Sequence, residues 1–169
     1  MKYYSKDAVR IPPHYFYDSV GVSDGKPDTT WHKIKSINFT NQFGKKVSLD
    51  DLHGKIIVMD FFFTRCPSIC PGLAKNMKRL QDSFTKNDSI VQFVSITVDP
   101  VHDSVDQLRK FADRFNVNHD SWWFLTGDRK EIYDFALNEI RANIADVNVD
   151  TAFVHTENFF LIDTNHVVR

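Results

Sequence analysis

The stretch IIVMDFFFTRCPSICP, residues 56–71, joins a nearly unbroken apolar run to the only two cysteines of the chain. Residues 56–63 are mostly β-branched or aromatic, which is typical of a strand covered on both faces in a parallel sheet. Apolar side chains then recur at helical spacing, at Leu73, Met77, Leu80 and Phe84. A helix is predicted to begin near Pro71, because the first helical turn does not use the N–H that proline lacks. The predicted order is strand, cysteine loop, helix.

The sequence on either side of this stretch predicts an alternation of strands and helices. Before it, residues 31–54 predict two short strands around a turn at Gly44, then one helical turn that begins at Ser48. After it, the predicted elements are a strand at 90–99, a helix that begins at Ser104, a strand at 122–125, a helix at 131–143 and a strand at 159–163. Such alternation implies right-handed crossovers between strands. The predicted fold class is α/β, with a mixed central sheet flanked by helices and an N-terminal hairpin extension.

Length, composition and charge narrow the class of protein. With 169 residues, 42% of them apolar and 15 of them Phe, the chain is long enough for one domain with a sizeable core. Residues 1–30 are rich in Pro, Gly, Asp and Tyr and predict an irregular arm, and residues 31–169 form the predicted domain. The 21 basic and 22 acidic residues nearly cancel and form no Lys/Arg run, which argues against nucleic acid as a partner. No apolar stretch reaches about 18 residues, so no membrane-spanning helix is predicted.

The two cysteines lie where thiol chemistry is expected. Cys66 follows the carboxyl end of the predicted strand, and Cys70 lies near the amino end of the helix, where unpaired N–H groups and the helix dipole favour an anion. Thiolates are therefore expected to form readily. The spacing allows a reversible disulfide, and it also lets two sulfurs bind one metal ion. The alternative is an inert local disulfide or two buried apolar side chains, although so short a ring adds little stability.

His155 is the candidate for a third metal ligand. It falls in the loop before the last long strand, and in a sheet of this kind that loop packs against the cysteine turn. A solvated or hydrogen-bonded histidine is the alternative. His102 is expected at the same sheet edge, but solvated. The remaining histidines show no partner in the sequence and are also expected to be solvated: His14, His32, His53, His119 and His166.

Asp60 is an acidic residue inside an apolar strand, six residues before Cys66. An ionised and unpaired carboxylate there would cost several kcal/mol, so its pKa is expected to rise unless it finds a partner. Its functional interpretation is a group that tunes the redox chemistry of the thiol pair. Asp99 and Asp103 are expected to shape their loop and to cap the helix that follows.

Three segments carry a resemblance to a known family: FTNQFGKKVSLDDLHGKIIVMDFFFTRCPSICP, ITVDPVHDSVDQLRKFADRF and HTENFFLID. They resemble the Sco/SenC family, thioredoxin-like copper-binding proteins that help to assemble the dinuclear copper centre of cytochrome c oxidase. The resemblance covers most of the chain from about Trp31 onward, and its CPxxCP turn with a downstream histidine is specific. It implies a thioredoxin-like fold, copper as Cu(I) or Cu(II), and Cys66, Cys70 and His155 as the copper ligands. Two soft thiolates and one imidazole suit both oxidation states.

Two parts of the family pattern are missing from the sequence. Family members usually carry one N-terminal transmembrane anchor, and we expect this chain to begin after such an anchor. The pattern also continues into a closing C-terminal helix, whereas the sequence stops at Arg169. The resemblance implies an extracytoplasmic location, at the periplasmic face of the inner membrane or in the mitochondrial intermembrane space of a eukaryote. It also implies a monomer whose partners are the copper-bearing subunit of cytochrome c oxidase and another copper chaperone.

Two functions compete for the same residues. A copper metallochaperone would pass copper to the oxidase subunit, whereas a thiol–disulfide reductase would use Cys66 and Cys70 as its catalytic pair to reduce the cysteines of that subunit. Thioredoxin-type reductases have a two-residue spacer and a cis-proline facing the thiols; this chain has a three-residue spacer, and His155-Thr156-Glu157 in that loop. These differences favour copper. A peroxiredoxin-like peroxidase needs Thr-x-x-Cys, and Thr64-Arg65-Cys66 is one residue short.

Overall fold

The computed structural model of the protein describes residues 12–67, 69–87, 89–142 and 158–169. The strands are β1 (Tyr17–Ser23), β2 (Lys26–Trp31), β3 (Asn38–Asn41), β4 (Lys46–Ser48), β5 (Ile56–Phe62), β6 (Val91–Thr97), β7 (Trp122–Thr126) and β8 (Phe160–Ile162). The α-helices are α1 (Ile69–Ser83), α2 (Val105–Arg114) and α3 (Arg129–Asp134). Short 3₁₀ helices lie at Leu49–Leu52 and Thr85–Asn87, and a π-helix, Phe135–Glu139, continues α3. The predicted α/β class is confirmed.

Strands β3 to β8 form one mixed sheet in the order β4-β3-β7-β6-β5-β8. Strands β7, β6 and β5 are parallel, β3 is antiparallel to β4 and β7, and β8 is antiparallel to β5. The predicted mixed sheet with antiparallel edges is therefore present. Because β5 has a neighbour on each side and layers on both faces, its apolar run is buried almost throughout. The carboxyl ends of β5 and β6 meet at one edge, where the cysteine turn begins.

Two apolar layers cover the sheet, and the side chains of β5 alternate between them. Phe61 packs in the layer that contains Ile132 of α3, whereas Phe62 packs in the layer that contains Met77 of α1 and Leu108 of α2. This alternation follows from the two-residue period of a strand. Both cysteines belong to the layer formed with α1 and α2.

The N-terminal part of the described chain differs from the predicted irregular arm. Strands β1 and β2 pair as an antiparallel hairpin, so the expectation of loops is wrong for residues 17–30. The turn between them places Asp24 at φ 51° and Gly25 at φ 73°. Two successive positive φ values characterise a type I′ turn, for which Asp-Gly is a preferred pair. The predicted hairpin around Gly44 is present as β3 and β4.

The start of α2 is as predicted, with Ser104 as its N-cap accepting from the N–H of Gln107, whereas the bounds of the other two helices differ from the prediction. Helix α1 begins at Ile69, and of its predicted apolar stripe Leu80 and Phe84 are 36% and 38% exposed. The predicted helix at 131–143 begins at Arg129, and its α-helical part ends at Asp134 before the π-helix. None of the helices within the described residues is long and apolar enough to cross a membrane.

Several histidines expected to be solvated have partners instead. Nδ1 of His32 lies 2.7 Å from a carboxylate oxygen of Asp18, and its Nε2 lies 3.3 Å from Glu139 of the π-helix without making a hydrogen bond. His166 is buried, with only 7% of its surface exposed. His119 lies 3.0 Å from a carboxylate oxygen and 3.1 Å from an amide. The contact between His119 and the amide of Gln42 joins residues 77 positions apart, which a single-sequence pattern does not reveal.

Candidate metal centre

A tight turn carries the chain from β5 to α1 and contains the first cysteine. The N–H of Cys66 donates to the carbonyl oxygen of Phe63 over 3.2 Å. In the first turn of α1, the N–H of Cys70 donates to the Sγ of Cys66 over 3.4 Å. Both side chains are thiols, with 7% and 1% of their surfaces exposed. The structure thus places two buried thiols within one turn of chain at the carboxyl end of β5.

Burial is the largest influence on the pKa of Cys70. Desolvation raises the pKa of Cys70 to about 12, and the hydrogen bond with Cys66 and the negative charges of Cys66 and Asp60 add to the rise. The expectation that thiolates form readily is therefore wrong for Cys70. The amino end of α1 favours an anion, but the apolar layer around the sulfur opposes one more strongly. A nearby cation would favour the ionised form of Cys70.

Asp60 lies beneath the cysteines on β5 and faces Ser95 of β6 across the parallel ladder. Its side chain is only 2% exposed. Burial raises the pKa of Asp60 to about 7, although a hydrogen bond from Ser95 partly offsets the effect. Among the described residues, none hydrogen-bonds its Oδ1. The predicted rise is confirmed, and this carboxyl titrates near neutral pH.

A network that we call the rim holds the cysteine turn from the loop after β6; its members are Thr64, Arg65, Thr97, Asp99, His102 and Asp103. Asp103 is fully buried and accepts hydrogen bonds from the N–H of Thr64 over 3.0 Å and from its hydroxyl over 2.5 Å. The hydroxyl of Thr97 makes a third, short hydrogen bond to the same carboxylate. Asp103 therefore fixes Thr64, two residues before the first cysteine, to the neighbouring loop.

The second contact of the rim is an ion pair at the surface. Arg65, whose side chain is 54% exposed, donates to Asp99 over 2.7 Å. Burial opposes the ionisation of Asp99, but hydrogen bonds from His102 and Arg65 hold its pKa below the ordinary value. Sequence reasoning assigned Asp99 and Asp103 to their own loop and missed Arg65. The available signal was that parallel strands end at one edge, so the Asp-rich loop after β6 lies beside the turn after β5.

The donor set fits a soft cation but is incomplete within the described residues. Across residues 12–67, 69–87, 89–142 and 158–169, no group of three His, Cys, Asp or Glu side chains could hold a metal ion. Nδ1 of His102 lies 2.8 Å from Asp99, so His102 belongs to the rim. The predicted ligand His155 lies outside the described residues. Ionising both thiols would place two negative charges in an apolar layer, and a soft metal ion that accepts two thiolates compensates them.

Comparisons with known proteins agree on one family. A family model described as SCO1/SenC matches residues 27–169. The SCO1 protein homolog of Bacillus subtilis is 36% identical over 132 residues, which are 78% of this chain and 68% of that protein. A SCO1/SenC family lipoprotein from Bacillus anthracis has a structure with a TM-score of 0.73 at 35% identity, covering 82% of each chain.

Two further solved structures are informative about chemistry. BsSco, described as having a disulfide switch and as a member of the Sco family of cytochrome c oxidase assembly proteins, matches with a TM-score of 0.69 at 34% identity, covering 82% of this chain and 81% of that one. ScoI of Arabidopsis thaliana with copper bound matches with a TM-score of 0.65 at 27% identity, covering 80% and 83%. The predicted thioredoxin-like fold is confirmed by these matches. The extent of the family model and the identity to the Bacillus subtilis protein show that the chain belongs to the SCO1/SenC family.

Proposed function

We propose that this protein is a copper metallochaperone that assists the assembly of the copper centre of cytochrome c oxidase. The observation that carries the proposal is the pair of buried thiols, Cys66 and Cys70, in one turn at the edge of the sheet. Copper in the Arabidopsis relative, and the membership of BsSco among the oxidase assembly proteins, support it. Copper is the cargo, and its ligands are the two sulfurs and His155.

The environment of the thiols suits a carrier that releases its metal. Soft thiolates bind copper strongly, but both sulfurs must lose a proton first. Because the apolar layer disfavours the ionised form of the metal-free thiols, copper binding is coupled to proton release. Cys66 is the more exposed of the two. An acceptor protein therefore meets the copper on the side of Cys66 and exchanges that ligand first.

A thiol–disulfide oxidoreductase that reduces the cysteines of the oxidase copper site is the second candidate. Asp60 favours it, because a buried carboxyl with a pKa of about 7 interacts with the charge of Cys70, whose own pKa is about 12. Such a carboxyl can accept the proton of the thiol that resolves a mixed disulfide. The disulfide switch described for BsSco supports this role as well.

The proposed function implies a location and partners. We place the protein in an extracytoplasmic space next to the membrane that holds the oxidase, in line with the lipoprotein nature of the Bacillus anthracis relative. Its partners are the copper-bearing subunit of cytochrome c oxidase as acceptor and another copper chaperone as donor. It acts as a monomer, with residues 1–30 preceding the domain at 31–169.

Anaerobic copper titration of the reduced protein tests the main proposal. We expect one copper per chain and, with Cu(II), a sulfur-to-metal charge-transfer absorption band. The double variant Cys66→Ser, Cys70→Ser should lose both, while Ser83→Ala at the far end of α1 should keep them. A double variant that keeps the band would refute the metal site.

Substitution of His155 separates the two candidates. Thiol–disulfide exchange needs only the sulfurs, whereas Cu(II) held by two thiolates alone is coordinatively unsaturated. We expect His155→Ala to lose Cu(II) at least about tenfold more readily, about 1.4 kcal/mol, while the disulfide still forms and is still reduced. Unchanged copper retention would remove His155 from the site and favour the reductase.

A further inference from the structure

Asp103 is a buried acidic side chain that accepts hydrogen bonds from Thr64, just before the cysteine turn. Its side chain is 0% exposed, yet it lies in a connecting segment. Two of its three side-chain hydrogen bonds go to Thr64, two residues before Cys66, and the third comes from Thr97 at the end of β6. A carboxylate in such a place is stable only because these donors replace water.

The loop that carries Asp103 is itself fixed to the sheet. The N–H of Val98 donates to the carbonyl of Phe62 over 2.9 Å, and the N–H of Asp103 donates to the carbonyl of Asp99 over 2.9 Å. The N–H of Asp99 donates to the hydroxyl of Thr97 over 3.0 Å. The side chain of Asp103 thus connects this hydrogen-bonded loop to the backbone N–H of Thr64.

We propose that Asp103 is a positioning residue of the thiol pair, which holds Cys66 beside Cys70 through Thr64. The inference deepens the proposed function and rests on Cys66 and Cys70 being the functional pair. A fixed turn keeps each sulfur at a high effective concentration with respect to the other, as preorganisation does for any two reacting groups. Loosening the turn therefore weakens every state that needs both sulfurs together, whether a disulfide or a chelated metal ion.

Equilibration with dithiothreitol measures this effect without copper. The two thiols form one S–S bond and give two electrons and two protons to the disulfide of oxidised dithiothreitol, which becomes the dithiol. The equilibrium constant then gives the stability of the Cys66–Cys70 disulfide relative to the two free thiols. Quantifying thiols by mass spectrometry after acid quench and alkylation gives the fraction oxidised at each ratio of reagents.

Asp103→Asn is the main test, because an amide keeps the size of the side chain but places two N–H donors where only acceptors are needed. We expect its disulfide to be about tenfold easier to reduce, about 30 mV in midpoint potential. Thr64→Val removes the hydroxyl donor but keeps the backbone N–H, so a smaller shift of about threefold in the same direction is expected. Because Thr64→Val disturbs the core little, it keeps the test valid if Asp103→Asn folds poorly.

Two control variants separate positioning from general destabilisation. Ile132→Val shortens a buried side chain in the opposite apolar layer and lowers stability without touching the turn. Asp106→Asn removes an exposed acid on α2, only three residues from Asp103. Both should keep the midpoint of the parent protein within a factor of two. Equal midpoints for the parent, Asp103→Asn and Thr64→Val would overturn the proposal, as would a shift of the same size in Ile132→Val.

The outcome is independent of the copper experiments. If the parent protein bound no copper but Asp103→Asn shifted the disulfide midpoint, the metallochaperone proposal would fail and the positioning role would stand. If copper bound as expected and the midpoint did not move, only the positioning role would fail.

Discussion

The pKa shifts of acidic groups have opposite directions in the rim above the cysteines and in the layer beneath them. In the rim, Asp103 accepts three hydrogen bonds and the pKa of Asp99 is held below its ordinary value. Beneath it, burial raises the pKa of Asp60 to about 7 and that of Cys70 to about 12. For Asp99, the hydrogen bonds from His102 and Arg65 outweigh burial, whereas for Asp60 burial outweighs the single hydrogen bond from Ser95. The rim is therefore a hydrogen-bonded framework that fixes the shape of the cysteine turn, whereas the groups beneath it, Asp60 and Cys70, retain their protons to a higher pH than usual.

Asp60→Asn gives the largest expected effect on this comparison. The folded protein keeps the proton of Asp60 up to about pH 7, whereas the unfolded chain loses it near the ordinary value of 3.8. Stability therefore falls as pH rises between these values, by about 4 kcal/mol for the roughly three pH units. The amide variant lacks this loss. Urea unfolding of the reduced proteins at pH 4 and pH 8 measures it, and comparing the two pH dependences cancels any constant cost of the amide.

Parallel pH profiles for the parent and Asp60→Asn would contradict this assignment. They would mean that Asp60 is ionised in the folded state and belongs with the carboxylates of the rim. Asp106→Asn, an exposed acid, should follow the profile of the parent protein.

The pH dependence of copper binding is the next largest effect. Because the pKa of Cys70 is about 12, metal binding at neutral pH must displace at least its proton. Affinity for Cu(I) should therefore rise at least about tenfold per pH unit, or about a hundredfold between pH 6 and pH 8, which is about 2.7 kcal/mol. Competition with a chelator of known pH dependence measures it. A constant affinity over this range would show that the thiols are already ionised and that the layer beneath the rim does not hold protons.

The sequence was sufficient for the sheet and for the place of the cysteines, because both depend on local patterns. The apolar run of β5 and the turn at Gly44 predict elements that the structure contains. The hairpin around Asp24 and Gly25 was missed, although Asp-Gly is a strong signal for a two-residue turn. The composition of that segment, rich in Pro and Gly, outweighed this signal.

The raised pKa of Cys70 and the contacts of the rim were not predicted, for a different reason. The position of Cys70 at a helix start indicates a low pKa, but the raised value comes from side chains of α1, α2 and the sheet that a single segment does not contain. The contact between Asp103 and Thr64 joins residues 39 positions apart. The candidate site itself is only partly described, since His155 lies outside the described residues and its role stays a prediction.

Asp103→Asn should move stability in the opposite direction from Asp60→Asn at pH 8. Replacing one acceptor oxygen of Asp103 by an amide nitrogen leaves a hydroxyl donor of Thr64 or Thr97 without a partner, which costs about 2 kcal/mol. The same substitution at Asp60 relieves a buried charge. Urea unfolding at pH 8 compares the two variants directly. If both variants were more stable than the parent protein, the side chain of Asp103 would destabilise the fold as that of Asp60 does, and the contrast between the two regions would fail.

The smallest expected effect is that of Arg65→Gln, which tests whether the exposed half of the rim contributes to the fold. Because Arg65 is 54% exposed, solvent screens its pair with Asp99, and a loss of only about 0.5 kcal/mol is expected at neutral pH. The lowered pKa of Asp99 means that this contribution is present above the unfolded value of 3.8 and disappears as pH falls through the folded value. Unfolding followed from pH 7 downward, in low salt and in 1 M salt, should therefore show a difference from the parent protein that shrinks as pH falls and is larger in low salt. Lys110→Gln, an exposed cation on α2, should show no such pattern. A loss above about 2 kcal/mol that persists in high salt would place Arg65 with Asp103 as part of the buried framework, since only a desolvated pair resists screening.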